Sequence, residues 1–464
     1  MSKFTIDKSH FITGEKMEKT LNLLMGRQLS GPQLKTLGVA LDSTKLKQRP
    51  AVIVKKGRIF CQRCGFQAPR ANYALPDKSY YCPACLAWGR LTTTMSLYSI
   101  PEANDFKKYS QDLLEKKPRL SLWQKKAAKE LLQTVKRKQE RLLWAVTGAG
   151  KTEMLFEALN FALLDQQRVC LATPRVDVCN ELYPRLCQAF PKVKSCLLYQ
   201  NSGQEYTYTQ LVVCTVHQLL RFYHAFDLLV IDEVDAFPYV NDRQLHYAVT
   251  HAKKINSSTL YLTATPDRYL KQQIHQNKLA VTCLPLRHHR HLLPEITLVK
   301  LRFPKQKIEE RTKKYLIKWV KNKIPFLVFV PQIAMLKPIL KELQHLWPTL
   351  NGECVSALDP DRLQKVKNLR TGIDQYLVTT TILERGITIT RLNVMVLQAD
   401  APLFSETVLV QIAGRVGRDK DYPSGEVVFT YQEMTFALRA AKKQIKLLNQ
   451  KAEQLLKNDE MSTL

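Results

Sequence analysis

The segment Arg141-Leu-Leu-Trp-Ala-Val-Thr-Gly-Ala-Gly-Lys-Thr152 is the most informative part of the sequence for predicting the fold. Its first half is an apolar run of strand length, and residues 153–164 continue with a helical pattern. Glycines between a strand and a helix let backbone N–H groups curl around phosphate oxygens at the helix N-terminus, whose dipole favours anions. We therefore predict a phosphate-binding loop of the form A-x-x-x-x-G-K-T, with Ala145 where the general motif has glycine.

The polar groups of this loop have separate predicted roles. Lys151 would reach the β- and γ-phosphates of ATP, and the Thr152 hydroxyl would be a ligand of Mg²⁺. The rest of the predicted ATP cradle is the backbone of Thr147, Gly148, Ala149 and Gly150.

The charge of the chain restricts its partners. Its 464 residues include 70 Lys plus Arg against 41 Asp plus Glu, which gives a formal net charge of +29 and a pI near 9.6. Such a surface attracts polyanions, and contacts to phosphates release counterions from nucleic acid. A merely soluble basic surface and an anionic membrane surface are the alternatives. An apolar content of 45% excludes a disordered or fibrous chain.

The sequence predicts a cytoplasmic protein. No apolar run approaches the ~20 residues of a membrane span, and the polar N-terminus lacks a secretory signal. Thiols stay reduced in the cytoplasm, so the eleven cysteines are not expected to form a disulfide framework. Seven cysteines lie outside a metal-binding pattern and are interpreted as small core residues or inert thiols: Cys170, Cys179, Cys187, Cys196, Cys214, Cys283 and Cys354.

Short apolar runs alternate with helical patterns twice along the chain, which predicts an α/β fold with two parallel sheets covered by helices on both faces. We predict an N-terminal arm (1–50), a four-cysteine zinc module (51–95), a connector (96–118), an ATP-binding domain (119–285), a linker (286–298), a second domain (299–432) and a C-terminal helix (433–464).

Three of these segments are expected to lie outside the main cores. The arm is polar and is predicted to be mobile or loosely packed. The linker carries Arg287-His-His-Arg-His291, and arginines at a domain boundary favour a solvated linker over a histidine metal site. The apolar spacing of the last helix suits either a short coiled-coil seam or docking on the preceding domain.

Two carboxylates follow the strand pattern of residues 227–231. Ligands of parallel sheets bind at the carboxyl ends of strands, so Asp232 and Glu233 are expected to face the phosphates. Asp232 would hold Mg²⁺ through its water shell, and Glu233 would deprotonate the attacking water. One strand later, the hydroxyls of Thr263 and Thr265 would couple these acids to the second domain.

The segment Gln411-Ile-Ala-Gly-Arg-Val-Gly-Arg418 places two arginines three residues apart, on one face of a helical turn. A guanidinium fork can neutralise charge that develops on the γ-phosphate, so Arg415 and Arg418 are candidate catalytic residues. The glycines between them would allow close approach of a ligand, which a solvated basic helix does not require.

Together these segments resemble helicase superfamily 2, over about residues 120–431. Family order assigns Leu122-Trp-Gln124 to the Q element, 145–152 to motif I, Thr173-Pro-Arg175 to Ia, Thr215-Val-His217 to Ib, Asp232 to Asp235 to II, Thr263 to Thr265 to III, Phe329-Val-Pro331 to IV, Thr379 to Gly386 to V and Gln411 to Arg418 to VI.

This resemblance implies two tandem RecA-like domains and an ATPase. It places Gln124 and Gly386 among the ATP-binding residues, and Arg175, Thr215 and Thr380 on the DNA backbone. The acidic motif reads D-E-V-D rather than D-E-A-D, and motif VI opens with Gln411 rather than histidine. Both departures point away from RNA helicases and toward DNA translocases.

The spacing C-x₂-C, seventeen residues, C-x₂-C is that of a zinc ribbon, with Cys61, Cys64, Cys82 and Cys85 as four thiolate ligands of Zn²⁺. Aromatic and cationic residues interleave around it, which suits base stacking and phosphate contact. A purely structural metal with an aromatic core, and a redox dithiol pair, are the alternatives.

A four-cysteine module before this helicase core resembles the ComFA family of late-competence ATPases from naturally transformable Gram-positive bacteria. The resemblance implies single-stranded-DNA-stimulated ATPase activity at the inner face of the cell membrane. Implied partners are the phosphoribosyltransferase-like product of the same operon, the recombination mediator and the membrane DNA-uptake channel. The sequence leaves open whether the chain forms an oligomer. A primosomal replication-restart helicase and a nucleotide-gated DNA-binding adaptor are the competing hypotheses.

Overall fold

The computed structural model describes residues 21–39, 45–200, 203, 205–301, 308–384 and 389–461. The chain divides into two compact units. The first comprises Met1–Lys117, Leu132–Glu140 and Phe156–Tyr261, and the second comprises Pro118–Leu131, Arg141–Leu155 and Leu262–Leu464. Each unit combines three separate ranges of the sequence, whereas every predicted domain is one continuous range. The predicted domain ranges are therefore not tested by this division.

The N-terminal region of the first unit is built from short strands. The strands are β1 (Leu29–Ser30), β2 (Lys47–Pro50), β3 (Val52–Lys55), β4 (Arg58–Cys61), β5 (Gln67–Pro69) and β6 (Ser96–Ser99), and the helix α1 (Gly31–Thr36) follows β1. Among the described residues these strands form two antiparallel three-stranded sheets, in the orders β1-β6-β2 and β3-β4-β5. The zinc-ribbon cysteines lie in and after the second sheet.

The described part of the predicted arm is packed, and the expectation of a loosely attached arm is wrong there. Leu24, Leu29 and Leu34 are buried in a small cluster with Ile100. The Gln28 side-chain amide donates to the carbonyls of Leu220 and Phe222, at 2.8 and 3.2 Å. The physical reason is that the apolar side chains of the arm, though sparse, pack on one another and on Ile100, while Gln28 bonds to a segment far along the chain.

The predicted connector is fixed by a buried ion pair. Arg168 donates from Nη1 to Glu102 at 2.6 Å, and both side chains are fully buried. The same guanidinium donates to the carbonyls of Met25 and Thr209, at 3.0 and 3.2 Å. The arm, the connector and the strand that begins at Val169 therefore meet at one arginine.

The next elements are α2 (Leu122–Lys136), β7 (Glu140–Ala145), α3 (Lys151–Leu164), β8 (Val169–Thr173), α4 (Val176–Ala189), β9 (Ser195–Leu198), β10 (Leu211–Thr215), β11 (Phe226–Ile231), α5 (Arg243–Ala252), β12 (Lys253–Thr263), α6 (Arg268–His275) and β13 (Ala280–Leu284). In the first unit, β12, β11, β8, β10 and β9 lie side by side in that order, all parallel. Thr215 of β10 is in register with Thr173 of β8, so their polar ends emerge at one edge.

The second unit holds the parallel pair β7–β13 and a further sheet. Its elements are β14 (Ile296–Lys300), α7 (Glu310–Lys321), β15 (Phe326–Phe329), α8 (Leu336–Leu346), β16 (Gly352–Val355), α9 (Arg362–Thr371), β17 (Tyr376–Thr379), β18 (Asn393–Val396), α10 (Glu406–Ala413), β19 (Val427–Tyr431) and α11 (Phe436–Met461). Among described residues this sheet is parallel and six-stranded, in the order β14-β19-β18-β15-β17-β16. The predicted α/β architecture with parallel sheets is thereby confirmed.

The C-terminal helix α11 is docked on its own unit. Leu438, Ala441 and Ile445 are buried, and the Asn449 side chain both accepts from the backbone N–H of Leu293 (2.9 Å) and donates to its carbonyl (3.0 Å). The docking interpretation holds rather than a free coiled-coil seam. In the part of the chain that the structure describes, no helix is both long and apolar enough to cross a bilayer.

Candidate nucleotide site and metal centre

The predicted phosphate loop joins β7 to α3. Gly148 and Gly150 have φ of 81° and 75°, a conformation that side chains other than glycine rarely adopt. Lys151 and Thr152 then open α3, a helix of fourteen residues whose first N–H groups have no intrahelical partner. The loop thus has the backbone shape and the helix dipole that suit phosphate oxygens.

Gln124, at the start of α2, contacts this loop. Its Nε2 donates to the carbonyl of Ala149 at 2.9 Å, and its Oε1 accepts from the backbone N–H of Ser121 at 2.8 Å. A Cβ on Gly150 would come within 2.6 Å of that Nε2. The described contacts therefore give Gln124 a role in holding the loop, and its role in adenine recognition stays a prediction.

The phosphate loop also meets the segment predicted as motif VI. Thr147 donates from Oγ1 to the carbonyl of Gly414 at 3.1 Å. The Arg418 Nε donates to the same carbonyl at 3.1 Å, and Arg287 Nη2 does so at 3.3 Å. One carbonyl at the end of α10 is therefore shared by three donors from three separate segments.

Arg287 and its neighbours were missed as site residues, and the solvated-linker interpretation is wrong for Arg287, which is 2% exposed. Its Nη1 donates to the carbonyl of Gly417 at 2.5 Å. His288 donates from its backbone N–H and from Nδ1 to the carbonyl of Gly148, at 3.0 and 2.9 Å. Burial, and then the charge of Arg418, lower the pKa of Arg287 to about 9.

The signal that could have revealed Arg287 is strand register. In the parallel pair, Leu284 of β13 is opposite Ala145 of β7. Residues that directly follow two neighbouring parallel strands emerge at the same edge, so the cluster after β13 arrives beside the loop after β7.

The two candidate arginines differ in surroundings. Arg415 is 3% exposed, and its Nε and Nη2 donate to the carbonyl of Glu384 at 2.7 and 2.5 Å. Arg418 is half-buried, next to Gly414. Arg415 thus links motif VI to Glu384 of motif V. Arg418 instead donates to the Gly414 carbonyl, which also accepts from Thr147 of the phosphate loop.

The acidic pair follows β11 in the first unit. The backbone N–H of Asp232 donates to the carbonyl of Ala172 at 2.9 Å, and Oδ1 of Asp232 accepts from the backbone N–H of Glu233 at 2.8 Å. Glu233 has φ of 55°, the left-handed region that is uncommon for residues other than glycine. Such strain is concentrated at functional sites, where the surrounding structure holds it in place.

The remaining predicted residues lie at strand ends. Thr263 Oγ1 accepts from the backbone N–H of Thr265 at 2.9 Å, and Gln411 Nε2 donates to Thr265 Oγ1 at 3.4 Å, which connects motif III to motif VI. Thr215 ends β10, Arg175 follows β8 and Thr380 follows β17. Gly386 lies outside the described residues.

The four predicted metal ligands come together. Cys61, Cys64, Cys82 and Cys85 are all buried, and their Sγ atoms lie within 4.8 Å of one another. Two Sγ–Sγ distances are 3.7 Å (Cys61–Cys85) and 3.6 Å (Cys64–Cys82). Tetrahedral Zn²⁺ with Zn–S bonds of about 2.3 Å requires sulfurs about 3.8 Å apart. The four thiols therefore fit an ion such as Zn²⁺.

The surroundings of the cluster support such a centre. Arg63 donates from Nε to Cys85 Sγ at 3.2 Å, and from its other nitrogens to carbonyls of the second knuckle. Hydrogen bonds from the Cys61, Cys64 and Cys82 thiols lower the pKa of Cys85, and the charge of Arg63 adds to this effect. A cationic donor to a ligand sulfur stabilises the thiolate form that binds metal.

The aromatic residues of the module divide between two roles. Tyr73 packs edge-on against Phe66 and Tyr81, with ring centroids 5.6 and 5.8 Å apart, as in a small core. Trp88 instead lies under Arg221, whose guanidinium carbon is 5.3 Å from the ring centroid. The module also rests on α5, because a Cβ on Gly65 would come within 2.5 Å of the Tyr247 ring.

Two family models match the chain. The family described as type III restriction enzyme, res subunit, matches residues 117–268, and the helicase conserved C-terminal domain matches residues 308–420. Both models describe helicase-type ATPases, in the order expected of superfamily 2.

The sequence has close relatives along most of its length. It is 38% identical over 410 residues to the competence protein ComFA of Streptococcus pneumoniae, covering 87% of this chain and 93% of that protein. The chain belongs to the ComFA family. The ComFA of Bacillus subtilis is 39% identical over 411 residues, covering 87% of this chain and 88% of that protein. The chain is therefore a competence-related, helicase-like protein of superfamily 2, as the sequence predicted.

Solved structures agree on the fold. The Mycobacterium smegmatis helicase Lhr, bound to ssDNA and AMP-PNP, matches with a TM-score of 0.54 at 15% identity over 71% of this chain, which spans 50% of that helicase. The DEAD-box helicase Mss116, bound to ssRNA and UDP-BeF, matches with a TM-score of 0.53 at 17% identity, over 70% of this chain and 76% of that one. The chain thus contains two RecA-like domains behind a four-cysteine module.

Proposed function

We propose that the chain is an ATP-driven motor that moves along single-stranded DNA and draws the strand into the cell during natural transformation. The observation that carries the proposal is the meeting of phosphate loop and motif VI at the Gly414 carbonyl, in a chain of the ComFA family. A loop that binds phosphates and an arginine that can stabilise them share one backbone atom.

The residues divide the chemistry between them. Lys151 binds the β- and γ-phosphates, while Thr152 and Asp232 offer the hard oxygen ligands that Mg²⁺ prefers. Bound Mg²⁺ neutralises charge on the phosphates. Glu233 takes a proton from the attacking water, and Arg418 stabilises the charge that develops on the γ-phosphate. Arg415 keeps motif VI attached to motif V through Glu384.

The hydrogen bond between Thr147 and Gly414 gives a route by which ATP binding and hydrolysis would move the second RecA-like domain. Any change at the phosphates acts on Thr147, hence on Gly414, and hence on α10 and the second RecA-like domain. DNA would be gripped by Arg175, Thr215 and Thr380, and closure on ATP followed by reopening would shift that grip. The presence of Glu233 directly after Asp232 favours a hydrolysing motor over a nucleotide-gated adaptor, because a switch needs no positioned base.

The test is steady-state phosphate release with and without single-stranded and duplex DNA, with Lys151→Ala as the blank. We expect single strands to stimulate turnover strongly, and Glu233→Gln to remove turnover while leaving ATP binding and thermal stability unchanged. Stimulation mainly by forked duplex would overturn the proposal in favour of replication restart. Tight DNA binding with little turnover would overturn it in favour of the adaptor.

The cellular setting is part of the same proposal. We propose that the motor works peripherally at the inner face of the membrane, beside the DNA-uptake channel. Its proposed partners are the phosphoribosyltransferase-like product of the competence operon and the recombination mediator that receives the strand. Co-purification of each partner with the tagged chain, compared with the Lys151→Ala variant, tests whether assembly depends on ATP.

A further inference from the structure

A cavity of about 380 Å³ lies in the first unit, between the N-terminal arm, the zinc module and the segment after β10. Its volume falls within the range of about 300–1,000 Å³ that is usual for small-ligand sites. Arg27, Arg63 and Arg221 line it together with Trp88 and Gln33. As far as the described residues define the lining, it contains no acidic side chain.

Arg27 and Arg221 concentrate charge for which the described residues supply no carboxylate partner. Arg63 differs from them, because its Nε donates to Cys85 Sγ of the metal cluster. Arg27 is 9% exposed, its Nε is buried without a hydrogen-bond partner in the described chain, and its Nη1 has a 3.3 Å contact to the carbonyl of Leu23. Burial, and the charges of Arg221 and Arg168, lower the pKa of Arg27 to about 10. Buried charges are normally paired, so the Arg27 guanidinium is suited to binding an anion.

Trp88 adds an aromatic surface beside these cations. It is half-buried, with Arg221 near one side of the ring. Its carbonyl accepts from Gln33 Nε2 at 3.3 Å and from Arg63 Nη1 at 3.2 Å, which fixes its backbone to α1 and to the first knuckle. A fixed aromatic ring next to unpaired guanidinium groups is the combination that binds a base and its phosphate.

We propose that this cavity binds a nucleotide unit, with its phosphate on Arg27 and Arg221 and its base against Trp88. The favoured source is one nucleotide of a single strand held outside the RecA-like cleft. A free mononucleotide offers the same chemistry. The lining shares no residue with the phosphate loop, and binding there needs no hydrolysis, so the site would let the zinc module hold the strand throughout the ATP cycle.

The test is fluorescence anisotropy of a labelled short oligothymidylate on the full-length, zinc-loaded chain without ATP, in the Lys151→Ala background. Arg221→Ala removes an exposed side chain and should leave the fold intact. We expect about tenfold weaker binding, with a salt slope lower by about 0.7. Arg137→Ala removes an equally exposed arginine of the same unit and should change neither quantity. Arg27→Lys keeps the charge but not the guanidinium fork, and should also weaken binding.

Competition separates the sources. Thymidine monophosphate should compete for the site in wild-type protein but not in Arg221→Ala, while inorganic phosphate at equal concentration should compete poorly. If the monophosphate binds but strand affinity is unchanged in Arg221→Ala, the ligand is a free nucleotide. If Arg221→Ala matches Arg137→Ala with both ligands, or phosphate alone competes equally, the proposal is wrong. These outcomes do not depend on DNA-stimulated ATPase activity, so the proposed motor and this site can fail separately.

Discussion

The Thr147 hydroxyl donates to the carbonyl of Gly414 at 3.1 Å, which joins the phosphate loop directly to motif VI. The approach is closer than any larger residue would allow, because a Cβ on Gly414 would lie 2.1 Å from Thr147 Oγ1 and 3.0 Å from Thr147 Cβ. Gly414 is thus required by contact rather than by backbone conformation, since its φ is −64°.

Gly414→Ala should therefore disable the motor. The added methyl group must push the phosphate loop or motif VI aside, and a displacement of about 1 Å can cost about 100-fold in rate. Phosphate release measures the effect. Gly31→Ala is the control, since its Cβ would meet nothing nearer than 3.9 Å. Near-normal turnover in Gly414→Ala would contradict the contact.

Arg287→Lys should lower turnover about tenfold although it keeps the positive charge. A lysine cannot reach the carbonyls of Gly414 and Gly417 together, as the guanidinium fork does. Arg290→Lys, an exposed neighbour in the same cluster, is the matched control. Phosphate release and thermal unfolding should be compared, and equal effects in the two variants would remove Arg287 from the site.

Acid should destabilise the chain partly through His289. Burial, and then the charges of His288 and Arg287, lower the pKa of His289 to about 4. The unfolded chain therefore binds this proton first, and stability is lost as the pH falls from about 6.5 toward 4. The ring is partly exposed, so the loss should be about 1 kcal/mol or less. His289→Gln should flatten that part of the pH profile of the free energy of unfolding, and an unchanged profile would contradict the assignment.

Glu102→Gln should destabilise the chain by about 3 kcal/mol, because it leaves the buried Arg168 without its counter-charge. Chemical denaturation measures this loss. Glu140→Gln breaks a half-exposed pair with Lys253 and should cost under about 1 kcal/mol. Similar losses in both variants would mean that the burial of the Glu102–Arg168 pair is unimportant.

Cys82→Ser should remove the bound metal and weaken strand binding while the basal ATPase survives. Three thiols hold Zn²⁺ poorly, and the knuckles that place Arg63 and Trp88 depend on the ion. Metal content and anisotropy are the measurements. Cys283→Ser, at an exposed cysteine, is the control. Full metal content in Cys82→Ser would show that the ligand set is wrong.

Local sequence pattern predicted the parts of the structure that depend on neighbours along the chain. Strand-length apolar runs gave the parallel sheets, and the spacing of the cysteine pairs gave a cluster whose sulfurs fit a metal. The glycines at 148 and 150 gave the loop conformation. In each of these cases the structure depends on residues that are close together in the sequence, so the spacing of residue types is enough to predict it.

Contacts between distant segments could not be read in this way. Pattern predicts Gln124 as an adenine contact, which stays a prediction, and gives no sign that its amide also donates to the loop carbonyl of Ala149. Arginines mixed with histidines at a domain boundary favour a solvated linker, and only strand register indicates that Arg287 lies beside the phosphate loop. The arm was judged by its polarity, although a few apolar side chains suffice once a complementary surface lies opposite.

The buried pair between Glu102 and Arg168 also limits which pieces of this protein can be exchanged. A shortened chain that starts at Leu120 would retain every helicase motif. It would lack Glu102, however, and the Arg168 guanidinium would have no carboxylate partner. A graft of the zinc module together with its connector onto another motor would likewise leave the Glu102 carboxylate without Arg168. A chimera between relatives should therefore be more stable when both Glu102 and Arg168 come from the same parent.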